Sequence, residues 1–280
     1  MTTGYFIADG ESEAETERLR SLHACLARYL HDIASDLLVP RTGQQILDIG
    51  CGPGDWALDL AAQVPHAQVI GIDTSVARLT GARKRATEGG LSQVRFLLMD
   101  ATGPLAFPDA TFDLVHARFA QSFLPAASWP AFLAECRRVL RPGGKLVLTE
   151  CENPISTSRA FEGLCAAYAE ASRRTGFGFT PCGSQLGITA MLAFWLRQAG
   201  YEGIADRVQA IDFSFGLPAH EALAGYFRLL LPLSAPFLQE RGAMSQTEIA
   251  ALSRLALSQM QEPGFCGIWY LRTVWGSRPA

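Results

Sequence analysis

The sequence predicts an α/β fold built on a doubly wound parallel sheet with helices on both faces. Three observations carry that expectation. Between about residues 45 and 150, short apolar runs alternate with stretches of helical periodicity. The runs are continuously apolar instead of alternating with polar residues, as expected of strands covered on both faces. Several of them also end in glycine or an acid, at ILDIG, VIGID and FLLMD.

Taken in order, residues 13–38 place Leu19, Leu22, Leu26, Tyr29, Leu30, Ile33 and Leu37 at helical spacing, stopped by Pro40. QQILDIG (44–50) is a short buried strand that runs into glycines. A helix over about 55–64 is broken by Pro65. VIGID (69–73) is the second strand, and a helix over 75–87 begins behind Thr74 and Ser75, both suitable N-caps. VRFLLMD (94–100) and FDLVHA (112–117) are the third and fourth strands. Ser128, with Pro130 behind it, opens a helix to Leu140. The turn RPGG then leads into a fifth strand, KLVLTE (145–150).

After residue 150 the rhythm breaks. Residues 155–175 read as a helix, TGFGFTPCGSQLG (175–187) as a glycine-rich loop, and ITAMLAFWLRQAG (188–200) as an apolar helix stopped by Gly200. RVQAIDFSF (207–215) reads as a strand. Residues 218–261 read as helical, interrupted by Pro232 and Pro236, with a capping box at Ser245–Glu248 opening the second part. FCGIWYLRTVWG (265–276) is the closing strand.

A chain of 280 residues suits one large domain, or one domain with an extension. With 24 basic and 27 acidic residues the net charge is -3, which argues against a nucleic-acid partner that would need a basic face. Mean hydropathy is +0.12, yet no run of 18 apolar residues offers a membrane span. The surplus apolar surface is therefore assigned to a core, a pocket or a subunit interface, the last of which would make a homodimer. The N-terminal stretch is acidic and has no secretory pattern. Seven cysteines, with no CxxC pair and no histidine at ligand spacing, argue against a disulfide framework or a metal site and for a reducing cytoplasm.

The functional signal begins at Ile46-Leu47-Asp48-Ile49-Gly50-Cys51-Gly52-Pro53-Gly54. Glycines between a buried strand and a helix permit a tight turn and close approach of backbone to a ligand. A plain β–α turn would look similar. Asp73 at the second strand end can accept from two ribose hydroxyls, and Asp100 at the third can accept from an exocyclic amine. A dinucleotide site wants G-x-G-x-x-G, whereas this order is Gly50-x-Gly52-x-Gly54 followed by Asp55. An acid in the first helical turn repels a pyrophosphate. Asp48 adds a negative group suited to an ammonium. A ligand with adenine, ribose, an amine and a positive centre fits better than NAD.

ILDIGCGPG, VIGID, FLLMDA, FDLVHARF and LRPGGKLVL resemble the successive motifs of class I S-adenosylmethionine-dependent methyltransferases, strongly over about 45–150 and weakly beyond. The resemblance implies a Rossmann-like seven-stranded sheet in order 3-2-1-4-5-7-6, the last strand antiparallel, with helical insertions forming a substrate cap. It implies S-adenosyl-L-methionine as cofactor. Asp48, Gly50, Cys51, Gly52 and Gly54 would surround its methionine part. Asp73 and Thr74 would meet the ribose, Asp100 and Ala101 the adenine, and His116, Ala117 and Arg118 the floor near the sulfonium. Residues 1–40 would be a helical lid, with Arg18 near the cofactor carboxylate. Residues 41–150 would be the cofactor-binding core, 151–187 and 217–262 the cap, and 188–216 and 263–280 the rest of the sheet.

HARF stands where base- or glutamine-directed members carry Asn/Asp-Pro-Pro-aromatic, and the cysteine spacing does not resemble arsenite-methylating members. The expected reaction is methyl transfer to oxygen or carbon of a hydrophobic or aromatic small molecule, as in secondary metabolism. His116, and after it His220, are the candidate bases, each equally readable as a structural histidine; His23 and His31 on the first helix could also reach the pocket. Phe161, Tyr168, Phe177, Phe179, Trp195, Phe213, Phe215, Tyr226, Phe227 and Phe237 make the insertions aromatic, in helix packing or as an acceptor lining. Rival readings are a cofactor-retaining enzyme that cyclises or rearranges its substrate, a non-catalytic binding module, and a nicotinamide oxidoreductase.

Overall fold

A computed structural model describes residue 7, residues 10–38 and residues 43–280. The helical stop assigned to Pro40, and the 40/41 boundary, lie outside the described residues.

The strands are β1 (Gln45–Ile49), β2 (Gln68–Asp73), β3 (Val94–Leu98), β4 (Phe112–Arg118), β5 (Leu140–Cys151), β6 (Ile155–Ser156), β7 (Glu202–Asp212) and β8 (Gly267–Ser277). They form one sheet in the order β3-β2-β1-β4-β5-β8, with β6 and β7 both paired to β8. The first five are parallel, and β8 runs antiparallel to β5 and to β7. Without the two-residue β6 this is the expected seven-strand order, with the last strand antiparallel.

The helices are α1 (Glu13–Tyr29), α2 (Ile33–Asp36), α3 (Asp55–Gln63), α4 (Val76–Glu88), α5 (Trp129–Val139), α6 (Arg159–Arg174), α7 (Ile188–Gln198), α8 (His220–Glu240) and α9 (Gln246–Met260). Alternation along the strands splits the sheet residues between two cores. Ile46, Val69, Leu114 and Val147 pack with Trp56 and Leu60 of α3 and Leu79 and Ala82 of α4. Leu47, Ile49, Val115, Leu146 and Leu148 pack with Phe132 and Leu133 of α5 and Leu192 and Leu196 of α7. A third core joins α1, α6, α8 and α9 to Trp269 and Leu271 of β8.

Four elements differ from the sequence expectation. The helix expected over 13–38 breaks after Tyr29, because the His31 backbone exchanges hydrogen bonds with the Gln209 amide (2.8 and 3.0 Å). The RPGG turn is a bulge within β5, where the register on β4 jumps from Leu140 to Lys145. The strand expected over 207–215 starts five residues earlier, at Glu202, and ends at Asp212. Finally, α8 runs unbroken through Pro232 and Pro236; Ser234 Oγ donates to the Leu231 carbonyl at 3.1 Å.

Candidate functional site

One cavity of about 710 Å3 opens over the carboxyl ends of the central strands, between the turn after β1 and the cap helices. Gly50, Gly52 and Gly54 have φ of +65°, +55° and +84°, a left-handed region costly for other residues. Gly50, Cys51 and Gly52 line the cavity. Gly54 does not line it; a Cβ there would lie 2.6 Å from Phe96 Cε1. Its role is to seat the turn on α4 and β3.

Asp73 ties this turn to the end of β2. Its Oδ2 accepts from the Gly52 amide at 2.9 Å, and its Oδ1 from the Ser75 amide (2.8 Å) and Arg78 Nη2 (2.9 Å). A carboxylate has about four acceptor sites, so roughly one is left for a ligand hydroxyl. Thr74 lines the cavity beside it. Asp100 lies two residues beyond the end of β3, exposed on the cavity wall, its Oδ1 fixed by the Thr102 amide and hydroxyl (both 2.8 Å). Ile72, Met99, Ala101 and Phe123 add an apolar surface there.

Asp48 and His116 are brought together, but beneath this floor. They share a register position in β1 and β4, and Nδ1 of His116 pairs with Asp48 Oδ1 at 2.9 Å. His116 is 1% exposed and stacks on Trp56 with ring centroids 3.7 Å apart. Asp48, His116 and the fully buried Ala117 are absent from the cavity wall. Arg118 reaches it, with Nη2 3.1 Å from His23 Nδ1. Because the arginine can only donate, that contact makes His23 Nδ1 the acceptor and leaves Nε2–H for Asp59 at 2.8 Å. Burial lowers the Arg118 pKa from its ordinary value, opposed by the carboxylates of Asp48, Asp32, Asp55 and Asp59.

His220 lies away from the cavity: Nδ1 donates to the Phe213 carbonyl at 3.0 Å and the ring packs edge-on against Phe215. His31 pairs with Asp36 on the surface. Of the histidines proposed to reach the pocket, only His23 lines it.

The cap side begins on α1, whose Arg18, Leu19, Leu22, His23 and Leu26 form one wall. Arg18 is held by a two-pronged pair to Glu15 (2.7 Å each) and donates to the Tyr226 hydroxyl at 3.0 Å. Burial pushes the Tyr226 phenol up to about 12, with Arg18 acting against it. Of the ten aromatics singled out, Phe161, Tyr168, Tyr226 and Phe227 line the cavity. Phe179 and Trp195 instead pack with Trp129 in the sheet core, Phe213 packs beneath Phe227, and Phe215 is exposed.

The end of β5 and the residues after it supply Glu150, Cys151, Glu152, Asn153 and Pro154, none of which the sequence reading placed in the site. Glu152 is fully answered, accepting from the amides of Leu186, Gly187 and Thr189 and from the Thr189 hydroxyl at 2.7–3.0 Å, at the start of α7. Glu150 is 1% exposed and its carboxyl is pushed up to about 8, mainly by burial and further by Glu152, against backbone hydrogen bonds from Gln121 and Ala120. The signal was available: KLVLTE also ends a strand on an acid.

Comparison with known proteins places the chain among methyltransferases. Residues 46–144 match the profile of a methyltransferase domain. A demethylmenaquinone methyltransferase from Thermus thermophilus is 42% identical over 121 residues, 43% of this chain. The chain spans about half the length of such relatives, 53% in that case. Nocamycin O-methyltransferase from Saccharothrix syringae is 31% identical over 201 residues, 68% of this chain and 70% of that protein. Among solved structures, the YcgJ protein from Bacillus subtilis superposes with a TM-score of 0.57 at 17% identity, over 92% of this chain and 99% of that one, which speaks for the fold alone.

Proposed function

The chain belongs to the class I S-adenosylmethionine-dependent methyltransferases, and on that footing we propose that it methylates an oxygen or carbon of a hydrophobic or aromatic small molecule, as in secondary metabolism. The observation that carries this reading is the continuity of one cavity from the glycine turn to the aromatic cap.

The donor set suits the cofactor. Gly50 leaves backbone exposed where a side chain would intrude: a Cβ there would stand 3.0 Å from Phe123. Asp73 and Thr74 would hold the ribose, Asp100 and Ala101 the adenine edge, and Arg118 and His23 the methionyl end. Arg18, already committed to Glu15 and Tyr226, would shape the wall near that end. When bound, S-adenosylmethionine supplies a methyl group already activated by the positive sulfur. The protein's own part is to orient the acceptor and exclude water. Asp48 and His116 would brace the floor from below. Asp55, in the first turn of α3 and paired with Arg85, supports this cofactor over a pyrophosphate.

The acceptor half supports an uncharged partner. Of the cations on the cavity wall, Arg18 is paired with Glu15, Arg78 with Asp73, and Arg118 sits at the cofactor end on His23. Phe161, Leu164, Phe227, Leu231 and Trp269 give this half its apolar lining, beside the acids and amide at the end of β5.

Among the described residues no helix is long and apolar enough to cross a membrane. The seven unpaired thiols support a reducing cytoplasm. Sedimentation equilibrium tests the homodimer; the mass of one chain would overturn it. The main test is incubation with methyl-labelled cofactor and a library of small aromatic and polyketide-like hydroxyl compounds. Label should appear in product. Conversion without label would favour the cofactor-retaining alternative, and cofactor binding with no conversion would favour a binding module.

A further inference from the structure

Glu150 occupies a position that structural duty does not explain. β5 carries it one residue past the Thr149–Arg118 register pair, to the mouth of the sheet between the cofactor end and the cap. It is buried, yet no cation answers it. Arg272, its register partner on β8, turns instead to Asp206 (2.9 Å) and to the Thr189 carbonyl (2.8 Å). The donors it has among the described residues are the backbone amides of Ala120 and Gln121 just after β4, the latter at 3.4 Å. Its neighbour Glu152, by contrast, is saturated by four donors.

The other titratable groups around this half of the cavity leave Glu150 without a counter-charge. Arg18 of α1 is neutralised by Glu15, and Arg118 of β4 is directed to His23; no arginine is among the groups that act on the Glu150 carboxyl. The Tyr226 phenol of α8 and the Cys151 thiol are pushed up by burial and stay neutral. A buried acid with no cation stays protonated until a positive charge is brought beside it.

We propose that Glu150 is the proton carrier of the reaction: it holds a proton before the cofactor arrives, releases it to solvent as the cationic sulfonium binds, and as carboxylate receives the hydroxyl proton of the acceptor. This rests on the proposed methyl transfer. In the balanced step the acceptor oxygen's electron pair forms the bond to the methyl carbon. The pair of the broken sulfur–methyl bond stays on sulfur, and the hydroxyl proton ends on Glu150. The acceptor class follows: a neutral phenol or enol, whose proton a buried carboxylate can take.

The test needs no acceptor. S-adenosylmethionine and its demethylated product differ in the charge at sulfur, so the ratio of their affinities, read by isothermal titration from pH 6 to 9, isolates groups that sense that charge. For the native protein the ratio should shift toward S-adenosylmethionine by about tenfold or more as pH rises through the Glu150 range. In E150Q, of the same shape, the ratio should stay nearly flat, and E150D should restore the slope. The E150Q control also cancels titration of the ligands' own amino groups. A native slope that E150Q retains would overturn the proton-carrier role while leaving the cofactor site standing. Failure of the native protein to bind either ligand would instead bring down the proposed function, and the role of Glu150 with it.

Discussion

The Gly52 amide donates to Asp73 Oδ2 at 2.9 Å, so this carboxylate joins the Cys51 amide, 2.9 Å from the Ile72 carbonyl, in fastening the turn after β1 to the end of β2. Hydrogen bonds to a charged group contribute about 1.5–3 kcal/mol each, roughly 10- to 150-fold in affinity. Asp73→Ala should therefore weaken binding of the demethylated cofactor at least about tenfold, measured by isothermal titration. Unchanged affinity would end the ribose assignment.

Gly54 combines a φ of +84° with a missing Cβ that would sit 2.6 Å from Phe96 Cε1 and 2.7 Å from its Cζ. Gly54→Ala should cost on the order of 2–4 kcal/mol of unfolding free energy in urea, from backbone strain plus overpacking. Adding Phe96→Leu should recover the packing part and leave the strain.

The buried Glu15–Arg18 pair predicts an asymmetry. Glu15→Gln leaves a guanidinium 2% exposed without its carboxylate, and should cost about 3–5 kcal/mol. The double change Glu15→Gln with Arg18→Met removes both members of the buried pair and should cost less than the single change. Equal destabilisation by the single and double variants would contradict the pair's buried character.

Glu150 makes stability depend on pH in a definite direction. Its folded pKa, about 8, lies above the ordinary carboxylate value of 4.5, so the native state binds the proton more tightly than the unfolded chain. The resulting stability is complete below pH 4.5 and is lost as pH rises toward 8. Over that window the native protein should lose up to roughly 5 kcal/mol relative to Glu150→Gln. Urea midpoints of the two proteins across pH 5 to 9 check this; parallel curves would refute it.

The sheet order and the glycine turn were legible in the sequence because they depend on local pattern: apolar runs, caps such as Ser75, and glycines beside a strand end. Asp48 and His116 show what local pattern leaves out. Both were placed near the ligand by their distance from a strand end. Strand parity sends them to the α3 face, where His116 meets Trp56, whereas their neighbours Ile49 and Ala117 face α5 and α7. That parity was readable from Leu114 and Val115 once the covering helices were known. The prolines of α8 were read by their intrinsic cost, yet burial of Leu231, Phe237 and Leu238 holds the helix through them. The acceptor wall was least legible, since any aromatic on an amphipathic helix reads alike, and tertiary packing alone sends Phe227 to the cavity and Trp195 to the core.

The three apolar cores divide the walls of the cavity between separate packing units. Ile72 and Ala101 beside the cofactor end belong to a sheet core, whereas Phe161, Leu164, Phe227 and Leu238 on the acceptor wall belong to the cap core. The matched methyltransferase segment, residues 46–144, stops before the cap begins. Under the proposed function, substitutions in the cap would reshape the acceptor wall without disturbing the core packed around the glycine turn. A change of side chain on the cap wall is thus absorbed by packing that the glycine turn does not share.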